Sequence, residues 1–426
     1  MRRLAAAVLA ALLLPQASTG QPTSTLSEAE FLAPLDGGHP AALALAGELA
    51  EAQAGAIAAR TLENPELGAV REDPAGTGQQ LDLTLSWRPP HPGRRRLGIA
   101  AAEAGVEAAA RRLDQDLLGL ELHLREVYGR WALAVARGDR LAGQAERIDA
   151  LAARERRRAE AGESSGLDAR RLALSAVETH AALARAGAEA DAASAAARAW
   201  RPDLPDGVRP ALPELPDLNA APDTVHPRIT ALEAELAAAR SERALVARVV
   251  GMPEVIAGWQ TQDGAPEVAE GPILGLAWPV PLFDRNRAGH LAAEARVQAL
   301  SARLEIARSE LAAEREGRRA AYGRLREAAL EAAAAAGAGG PAVEAATAAF
   351  RLGEMDLTDL LETLRSATAA ELAALELLEA ALAAGRELER VSPGSLAQTP
   401  LFQDHRAVED DPPGRAVDDD PSGDPP

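Results

Sequence analysis

Apolar and polar side chains alternate strictly over residues 79–88, and this is the clearest local pattern in the chain. Alternation with a period of two predicts a β-strand that has one apolar and one polar face. A second extended stretch, residues 66–72, precedes this strand across a turn-rich segment, so the two predict a hairpin. The apolar face of the main strand carries Leu81, Leu83, Leu85 and Trp87.

Two long helical patterns follow the extended segments. Ala, Arg, Glu and Leu dominate residues 95–160, where no proline occurs, and this predicts one continuous helix. A second long helix is predicted from Arg287, with a break at 337–341. About 70 residues of helix extend about 100 Å, so each long helix needs neighbours along its length. Shorter helices are predicted at 40–62, 168–200, 227–250 and 357–390, and further strands at 255–261 and 273–282.

The chain contains an internal duplication, because residues 83–168 align without a gap on residues 274–359 at a constant offset of 191 residues. A unit of this size is too long for a solenoid repeat, so it predicts one protein built from two similar halves. The predicted segments are a signal peptide at 1–20, an N-terminal segment at 21–38, a first repeat at 39–201, a Pro-rich link at 202–222, a second repeat at 223–393 and a disordered acidic tail at 394–426.

The N-terminus has the pattern of an export signal. Two arginines precede an apolar run at residues 4–14, which is too short to span a bilayer, and small residues follow it. A short buried helix is the alternative interpretation. The chain contains no cysteine, so an exported form has no disulfide and no cysteine that could carry a lipid.

Composition and motifs give no indication of an enzyme. Aromatic residues make up 3% of the chain, which argues against a large globular core, and the net charge of −19 argues against nucleic-acid binding. Residues 162–166 match the G-x-S-x-G elbow of serine hydrolases, but a long helix precedes them where the elbow needs a strand. The seven histidines are scattered, without metal-ligand spacing. We therefore predict no catalytic residues, no cofactor and no metal site.

The strand patterns match bilayer-crossing β-strands, which have about ten residues and two alternating faces. Each half supplies one hairpin, so the chain supplies four strands. Four strands cannot close into a barrel, and an open edge in lipid leaves backbone groups unpaired, so a membrane location requires an oligomer. Trp87, Trp259 and Trp278 all lie in predicted strands, and we expect them at the membrane–water interface, where aromatic residues gather. Packing into a protein core is the alternative for these three tryptophans. The expected lipid-facing residues are Leu81, Leu83, Leu85, Trp87, Leu274, Leu276 and Trp278.

The ordered motifs of the two halves resemble those of the TolC family of trimeric outer-membrane efflux channels. The segment 279–287, Pro-Val-Pro-Leu-Phe-Asp-Arg-Asn-Arg, matches the family where the second hairpin enters the long helix, and is loosely similar to the heavy-metal-efflux branch. The resemblance covers about residues 39–392. The matching turn motifs are Leu352-Gly353-Glu354 with Asp359-Leu360-Leu361, and Gly162-Glu163 with Leu167-Asp168.

The resemblance implies a mainly α fold with a small β part, in which a helix–β-hairpin–long helix–turn–short helix unit occurs twice. Three chains would form a 12-stranded β-barrel in the cell outer membrane, continued by an α-helical barrel that extends into the periplasm. The strands would contact outer-membrane lipid. The turns would dock a periplasmic adaptor (a membrane fusion protein) that joins an inner-membrane pump. The implied docking tips are Gly162, Glu163, Asp168, Gly353 and Glu354.

Asp359 and Glu362 lie one helical turn apart and therefore on one face of their helix. In the resembled family, acidic residues at these positions point into the narrow periplasmic entrance, where three chains would form two carboxylate rings that attract cations. Ordinary acidic charge at a helix N-terminus is the alternative. The expected function is a passive channel for small molecules, metal ions or type I secretion substrates that the pump delivers. A soluble periplasmic adaptor or coiled-coil scaffold is the alternative function.

Overall fold

The computed structural model describes residues 25–34, 39–73, 79–163, 166–218, 225–248, 252–263, 269–279 and 283–393. The predicted signal peptide and acidic tail lie outside these ranges. Ser164 and Ser165 of the first turn also lie outside them, as do residues 280–282 of the motif before the second long helix.

The described residues are mostly helical and contain a small sheet, as predicted. None of their helices has the length and apolarity that a bilayer-spanning helix needs. The helices are α1 (Glu28–Leu32), α2 (Pro40–Arg60), α3 (Pro92–Glu160), α4 (Leu167–Trp200), α5 (Pro227–Val246), α6 (Arg287–Gly337), α7 (Gly339–Leu352) and α8 (Leu357–Val391). The strands are β1 (Thr25–Leu26), β2 (Glu66–Glu72), β3 (Gln79–Trp87), β4 (Arg209–Pro210), β5 (Glu254–Asp263) and β6 (Ala269–Ala277).

Most predicted elements lie within three residues of the observed ones, and three boundaries differ for identifiable reasons. α3 begins at Pro92 rather than at residue 95, because proline suits the first helical position, where an N–H has no helical partner. α5 ends four residues earlier than predicted, ahead of Gly251 and Pro253, which disfavour a helix. The strand predicted at 273–282 is wrong in position. β6 runs from Ala269 to Ala277, because it pairs with β5 over this range, from Gln262 to Glu254. The local sequence pattern carries no information about this pairing.

β2, β3, β5 and β6 form one antiparallel sheet in that order. Each half contributes one hairpin, and the pairing of β3 with β5 joins the two hairpins. β2 and β6 each pair with only one strand among the described residues, so both sides of the sheet have an edge. Within the described residues this four-stranded sheet therefore does not close on itself.

The second long helix is interrupted, as predicted, whereas α3 continues over 69 residues. α6 ends at Gly337 and α7 begins at Gly339. Pro341 explains the interruption, because it has no N–H to donate to the Gly337 carbonyl four residues earlier. Gly339 is also closely packed, since an added Cβ would lie 3.3 Å from the Cβ of Ala367 in α8. A side chain there would push the two helices apart.

The chain divides into two compact units, and each takes residues from both halves of the duplication. The helical unit comprises Met1–Ala42, Leu117–Thr224 and Leu311–Pro426, and the sheet unit comprises Leu43–Asp116 and Val225–Glu310. Each unit contains parts of both repeats, so the boundaries of the units do not test the predicted boundaries of the repeats.

The N-terminal segment packs into the helical unit around the side chain of Tyr128. The Tyr128 hydroxyl lies 2.7 Å from the carbonyl oxygens of Leu26 and Ala211. Leu26 is the last residue of β1, and Ala211 follows β4, the strand that pairs with β1. Phe31 of α1 is fully buried against the Tyr128 ring, with the ring centroids 5.5 Å apart. Arg201 lies over the Phe31 ring and donates a hydrogen bond to its carbonyl. These contacts tie the N-terminal segment to the chain that follows α4.

Candidate functional site: the apolar sheet face and the helix tips

The four-stranded sheet carries one continuous apolar face that is exposed in the chain. The register aligns Leu67, Leu85, Ala257 and Leu274 in one row across all four strands. In this row Leu67 is 80% exposed, Leu85 48% and Leu274 83%. Burying such a surface in an apolar phase is strongly favourable, at about 25 cal/mol per Å². The face therefore requires a partner or a membrane.

Two neighbouring rows extend the same face. One row aligns Ala69, Leu83, Trp259 and Pro272, and the next aligns Trp87, Val255 and Leu276. Five of the predicted lipid-facing residues belong to these rows, namely Leu83, Leu85, Trp87, Leu274 and Leu276. Leu81 is exposed on the same face but lies in a row with Arg71, Thr261 and Glu270, and Trp278 follows the end of β6 and is also exposed. The sequence analysis did not assign Leu67, Val255 or Trp259 to this face, although the alternation of Val255, Ala257 and Trp259 contains the signal.

The three strand tryptophans differ in position along the sheet. Trp87 is the last residue of β3, and its ring nitrogen donates to the Glu63 carbonyl at 3.1 Å. Trp278 directly follows β6 at the same end of the sheet. Trp259 lies in the middle of β5, opposite Leu83. Position alone therefore suits Trp87 and Trp278 to a membrane–water interface and Trp259 to the interior of the apolar band.

The opposite face of the sheet carries mainly polar, glycine and alanine residues, and its larger apolar residues are Val70, Ile256 and Ile273. One of its rows aligns Gly68, Thr84, Gly258 and Ile273. A Cβ at Gly258 would lie 2.3 Å from the Leu83 carbonyl oxygen, so no other residue type is accommodated without moving the backbone. The two faces differ as expected for strands with lipid on one side and water on the other.

The first helix tip ends α3 in a tight left-handed turn. Gly162 has φ of 77° and donates its N–H to the Ala159 carbonyl at 3.1 Å. Glu163 donates its N–H to the Arg158 carbonyl at 2.8 Å. These two bonds satisfy carbonyls at the helix end that otherwise have no partner, in the pattern of a Schellman cap.

The second tip repeats this pattern at the end of α7. Gly353 has φ of 79° and donates its N–H to the Phe350 carbonyl at 3.2 Å, and Glu354 donates to the Ala349 carbonyl at 2.9 Å. Each tip bond thus joins residues that correspond in the aligned duplication. No atom lies within 4 Å of an added Cβ at Gly353, so backbone conformation and not crowding accounts for the glycine.

The helix after the second tip is capped by an aspartate, and its exposed face carries the two predicted pore acids. The Asp356 carboxylate accepts the Asp359 N–H at 2.9 Å. The side chains of Asp359 and Glu362 are exposed, and neither has an ion-pair partner in the described ranges. Leu360 and Leu361, which lie between them in sequence, are buried.

The buried side of the second tip packs on helices from both halves. The cluster joins residues of α3, α4, α7 and α8, and it positions the acids on the side of α8 that faces away from the packed core. Its buried residues are Leu151, Ala152, Leu172, Val343, Ala346, Leu357, Leu360, Leu361 and Leu364.

The first tip differs in its capping and in its acid. α4 begins after Gly166, which has φ of 71° and provides no side-chain cap. Asp168, the counterpart of Asp359, is half-buried in the first turn of α4. The first tip therefore offers a less exposed carboxylate than the second.

The helical unit contains a buried ionic cluster that the sequence analysis did not predict. The i,i+4 spacing of Glu121 and Arg125 could have indicated an ion pair there. Arg125 donates to fully buried Glu121 at 2.8 Å and lies 3.6 Å from buried Glu389. Burial raises the pKa of the Glu28 carboxyl above its ordinary value, and Glu389 adds to the increase, while Arg125 and Arg386 oppose it. Burial likewise lowers the pKa of Arg386. Such a cluster specifies packing more than it adds stability.

Within the ranges that the structure describes, no group of three or more His, Asp or Glu side chains is arranged to hold a metal ion. His180 contacts Asp149 at 3.0 Å on an exposed helix surface, without a nucleophile beside it. The serine-elbow match lies partly outside the described residues, and the residues before it form the end of α3.

No family model and no curated protein matches the sequence. Solved outer-membrane channels do match the structure. The outer-membrane channel CmeC of Campylobacter jejuni gives a TM-score of 0.69 at 11% sequence identity, over 90% of this chain and 91% of that chain. The outer-membrane channel OprN gives 0.62 at 19% identity, over 92% and 90%.

The open-state outer-membrane channel MtrE of Neisseria gonorrhoeae gives a TM-score of 0.58 at 18% identity, over 86% of this chain and 88% of that chain. These three matches cover between 86% and 92% of this chain. The chain has the fold of these outer-membrane channels.

Proposed function

We propose that the protein is the outer-membrane channel of a tripartite efflux system. The observation that carries this proposal is the exposed apolar face of a four-stranded sheet, on a chain that has the fold of solved outer-membrane channels. Three of the strands have nine or ten residues, and β2 has seven. A strand of nine or ten residues rises about 30 Å, which is the thickness of a bilayer hydrocarbon core. The face then contacts outer-membrane lipid.

The sheet edges require an oligomer, and the resemblance implies that it contains three chains. The outer strands β2 and β6 each present unpaired backbone groups, which are costly in hydrocarbon. Pairing β2 of one chain with β6 of the next removes every edge once the ring closes. Three chains supply twelve strands, and their helical units extend as a tunnel into the periplasm.

The two tips dock a periplasmic adaptor, and the adaptor joins an inner-membrane pump. Support comes from the matching caps at Gly162 and Gly353, which present Glu163 and Glu354 in equivalent exposed turns. Two equivalent surfaces on each chain give a trimer six related docking sites. Asp168 contributes to the first of them.

Asp359 and Glu362 form the entrance constriction in this proposal. Their exposure and lack of ion pairs among the described residues leave both carboxylates available to a pore. Two stacked rings in a trimer concentrate cations at the entrance and repel anions. The same two features also allow ordinary helix-terminus charge, so the assignment rests on the resemblance.

The channel is passive, and the pump supplies both the energy and the choice of cargo. Small molecules, metal ions and type I secretion substrates are all compatible with such a duct. A soluble adaptor or scaffold has no use for an exposed apolar sheet face of this size, because such a surface promotes aggregation in water.

Cell fractionation and sizing test the proposal together. The protein is expected in the outer-membrane fraction, and its detergent-solubilised form is expected to have the mass of three chains. A water-soluble monomer without a membrane fraction would refute the proposal.

The absence of cysteine allows a direct test of the sheet edges. Ala69 in β2 and Pro272 in β6 share a register row but are separated by two strands, or about 14 Å, which a disulfide cannot bridge. Ala69→Cys combined in turn with cysteine at each residue of 271–275 is expected to give cross-linked dimers and trimers on oxidation. The single Ala69→Cys variant is the control. No cross-linking at any pair would contradict closure by edge pairing.

A further inference from the structure

Both long helices begin with arginines directly after the strands end. Arg94 and Arg96 lie in the first turns of α3, and their counterparts Arg285 and Arg287 lie at the start of α6. All four side chains are exposed, and none has an ion pair within the described residues. No acidic residue occurs between positions 88 and 102, whereas in the second half Asp284 directly precedes Arg285 and accepts the Asn286 N–H. The duplication therefore repeats a basic group at one structural level of the sheet unit.

This placement opposes the usual charge preference of helices. A helix N-terminus carries partial positive charge and favours acidic residues, as in α4 and α8, where Asp168 and Asp359 occupy the first turn. The first turns of α3 and α6 contain no acidic residue. Arginines there add like charge to the dipole, so a bound anion would relieve the repulsion at both helices.

A cleft beside Arg94, the one member of the four that lines it, has polar and apolar walls. It measures about 490 Å³ and is lined by Arg88, His91, Arg94 and Arg95, by the acidic residue Glu63, and by apolar residues that include Leu245 and Met252. Arg88 pairs with Glu254 at 2.6 Å, so that charge is already compensated. Arg95 donates to the Arg60 carbonyl at 2.7 Å, but its Nε is buried without a hydrogen-bond partner in the described structure.

The cleft lies at the end of the exposed apolar sheet face. Trp87 ends β3 and Trp278 follows β6 at this same end, and both rings are exposed. The apolar band, the tryptophans and the arginines therefore follow one another along the chain in both halves. This order corresponds to hydrocarbon, interface and headgroup layers of a membrane leaflet.

We propose that Arg94, Arg96, Arg285 and Arg287 bind the phosphate groups of anionic phospholipids in the leaflet next to the helices. The inference rests on the proposed outer-membrane location. Guanidinium groups bind phosphate with paired hydrogen bonds, and at Arg94 the apolar wall of the cleft accommodates the start of an acyl chain. The ligand is a glycerophospholipid with a net negative headgroup, and its source is the surrounding membrane.

Lipid selectivity of the full-length protein tests the inference. The protein is reconstituted in phosphatidylcholine membranes with trace spin-labelled phosphatidylglycerol or spin-labelled phosphatidylcholine, and the motionally restricted fraction of each is measured. Wild type is expected to favour phosphatidylglycerol about threefold or more, with the preference weakening as salt rises. Equal association of the two lipids in wild type would overturn the inference.

A charge-matched control distinguishes the site from general electrostatics. Replacing Arg94, Arg96, Arg285 and Arg287 with glutamine is expected to abolish the preference and leave the restricted phosphatidylcholine fraction unchanged. The control variant replaces four exposed arginines elsewhere in the chain, which are Arg157, Arg171, Arg303 and Arg319. It is expected to keep the preference. Equal loss in both variants would show a non-specific charge effect and reject the site.

The same measurement separates this inference from the proposed function and from a free-anion site. If even phosphatidylcholine shows no restricted fraction, the sheet does not contact lipid and the proposed function fails. If phosphatidylcholine is restricted but phosphatidylglycerol is not preferred, only the lipid site fails. Inorganic phosphate titrated onto the protein in phosphatidylcholine membranes is expected to show no saturable binding by ³¹P NMR. Saturable binding that the glutamine variant loses, without lipid preference, would assign a free-phosphate site instead.

Discussion

The core of the helical unit and the apolar face of the sheet place leucine and tryptophan in opposite environments. In the helical unit, Trp131 is 3% exposed and Leu360 is fully buried, so the chain itself covers its apolar residues. In the sheet unit, Trp259 is 49% exposed and Leu274 is 83% exposed, although both lie in well-paired strands. Side chains of the same types are thus buried by packing within the chain in the one case and exposed in the other.

The difference follows from the two secondary structures. A helix packs an apolar stripe against neighbouring helices, and the duplication supplies those neighbours within one chain. A sheet has two faces, and one chain supplies only one layer. The apolar face must therefore be covered by another molecule, which in the proposed function is lipid. The sheet unit thus depends on its surroundings, and the helical unit depends on its own packing. Five predictions test this contrast, from the largest expected effect to the smallest.

Core truncation in the helical unit should have the largest effect on stability. Leu360→Ala removes a fully buried side chain from the second tip cluster, and we expect the free energy of unfolding to fall by about 2–5 kcal/mol. Leu352→Ala, at a position that is 75% exposed in the same unit, should cost less than about 0.5 kcal/mol. Denaturant unfolding of both variants measures the difference. Similar costs would show that exposure in the single chain does not describe the assembled protein.

Charge on the apolar sheet face should impair membrane insertion. Leu83→Arg is expected to cost about 2–4 kcal/mol near the bilayer midplane, which lowers the amount of protein in the outer membrane. Thr84→Arg should be tolerated, because Thr84 lies on the opposite face between Gly68 and Gly258, where a long side chain has room. Membrane fractionation compares the two. Equal tolerance would remove the distinction between the faces.

The second tip should affect efflux without affecting insertion. Gly353→Val forces a β-branched residue to a φ of 79°, which costs about 1–3 kcal/mol and displaces the docking turn. We expect efflux to be lost while trimer levels in the membrane stay normal. Gly353→Asn should retain most efflux, since asparagine tolerates left-handed conformations. Full efflux by the valine variant would argue against a docking role for this tip.

Pore selectivity should depend on the helical unit. Asp359→Asn combined with Glu362→Gln removes two exposed negative charges from each chain, and single-channel recordings should then show a reduced preference for cations. Block by added multivalent cations should weaken as well. The control combines Glu305→Gln with Glu316→Gln, two exposed acids of α6, and should change neither property much. Unchanged selectivity in the tip variant would favour the helix-terminus explanation for both acids.

The buried ionic cluster should respond weakly to pH. Because burial raises the pKa of folded Glu28 above 4.5, the folded state holds this proton more tightly than the unfolded chain does. Glu28 therefore stabilises the fold below pH 4.5, and this contribution is lost as pH rises through the raised value. Glu28→Gln should raise Tm by about 1–3 °C at neutral pH, and the gain should disappear below pH 4.5. A lower Tm at neutral pH would show that the charged form of Glu28 is needed.

The sequence by itself determined the features that depend on local order. Alternation in residues 79–88 assigned Leu83 and Thr84 to opposite faces, and the constant offset of 191 residues paired Gly162 with Gly353 before their common turn was known. The alternation of apolar residues and the residue preferences of turns depend on neighbours in the sequence, so the sequence alone is sufficient to predict them.

Tertiary structure decided which distant segments pair and which charged groups are covered. Nothing in either hairpin pattern specifies that β3 pairs with β5, yet this pairing creates the continuous apolar face and shifts β6 to begin at Ala269. Sequence also gave no indication that Glu121 is fully buried while Glu362 is exposed, since both occur in similar Leu- and Glu-containing helices. Strand order and burial depend on contacts between residues far apart in the chain, and the energies of those contacts appear only when the chain has folded.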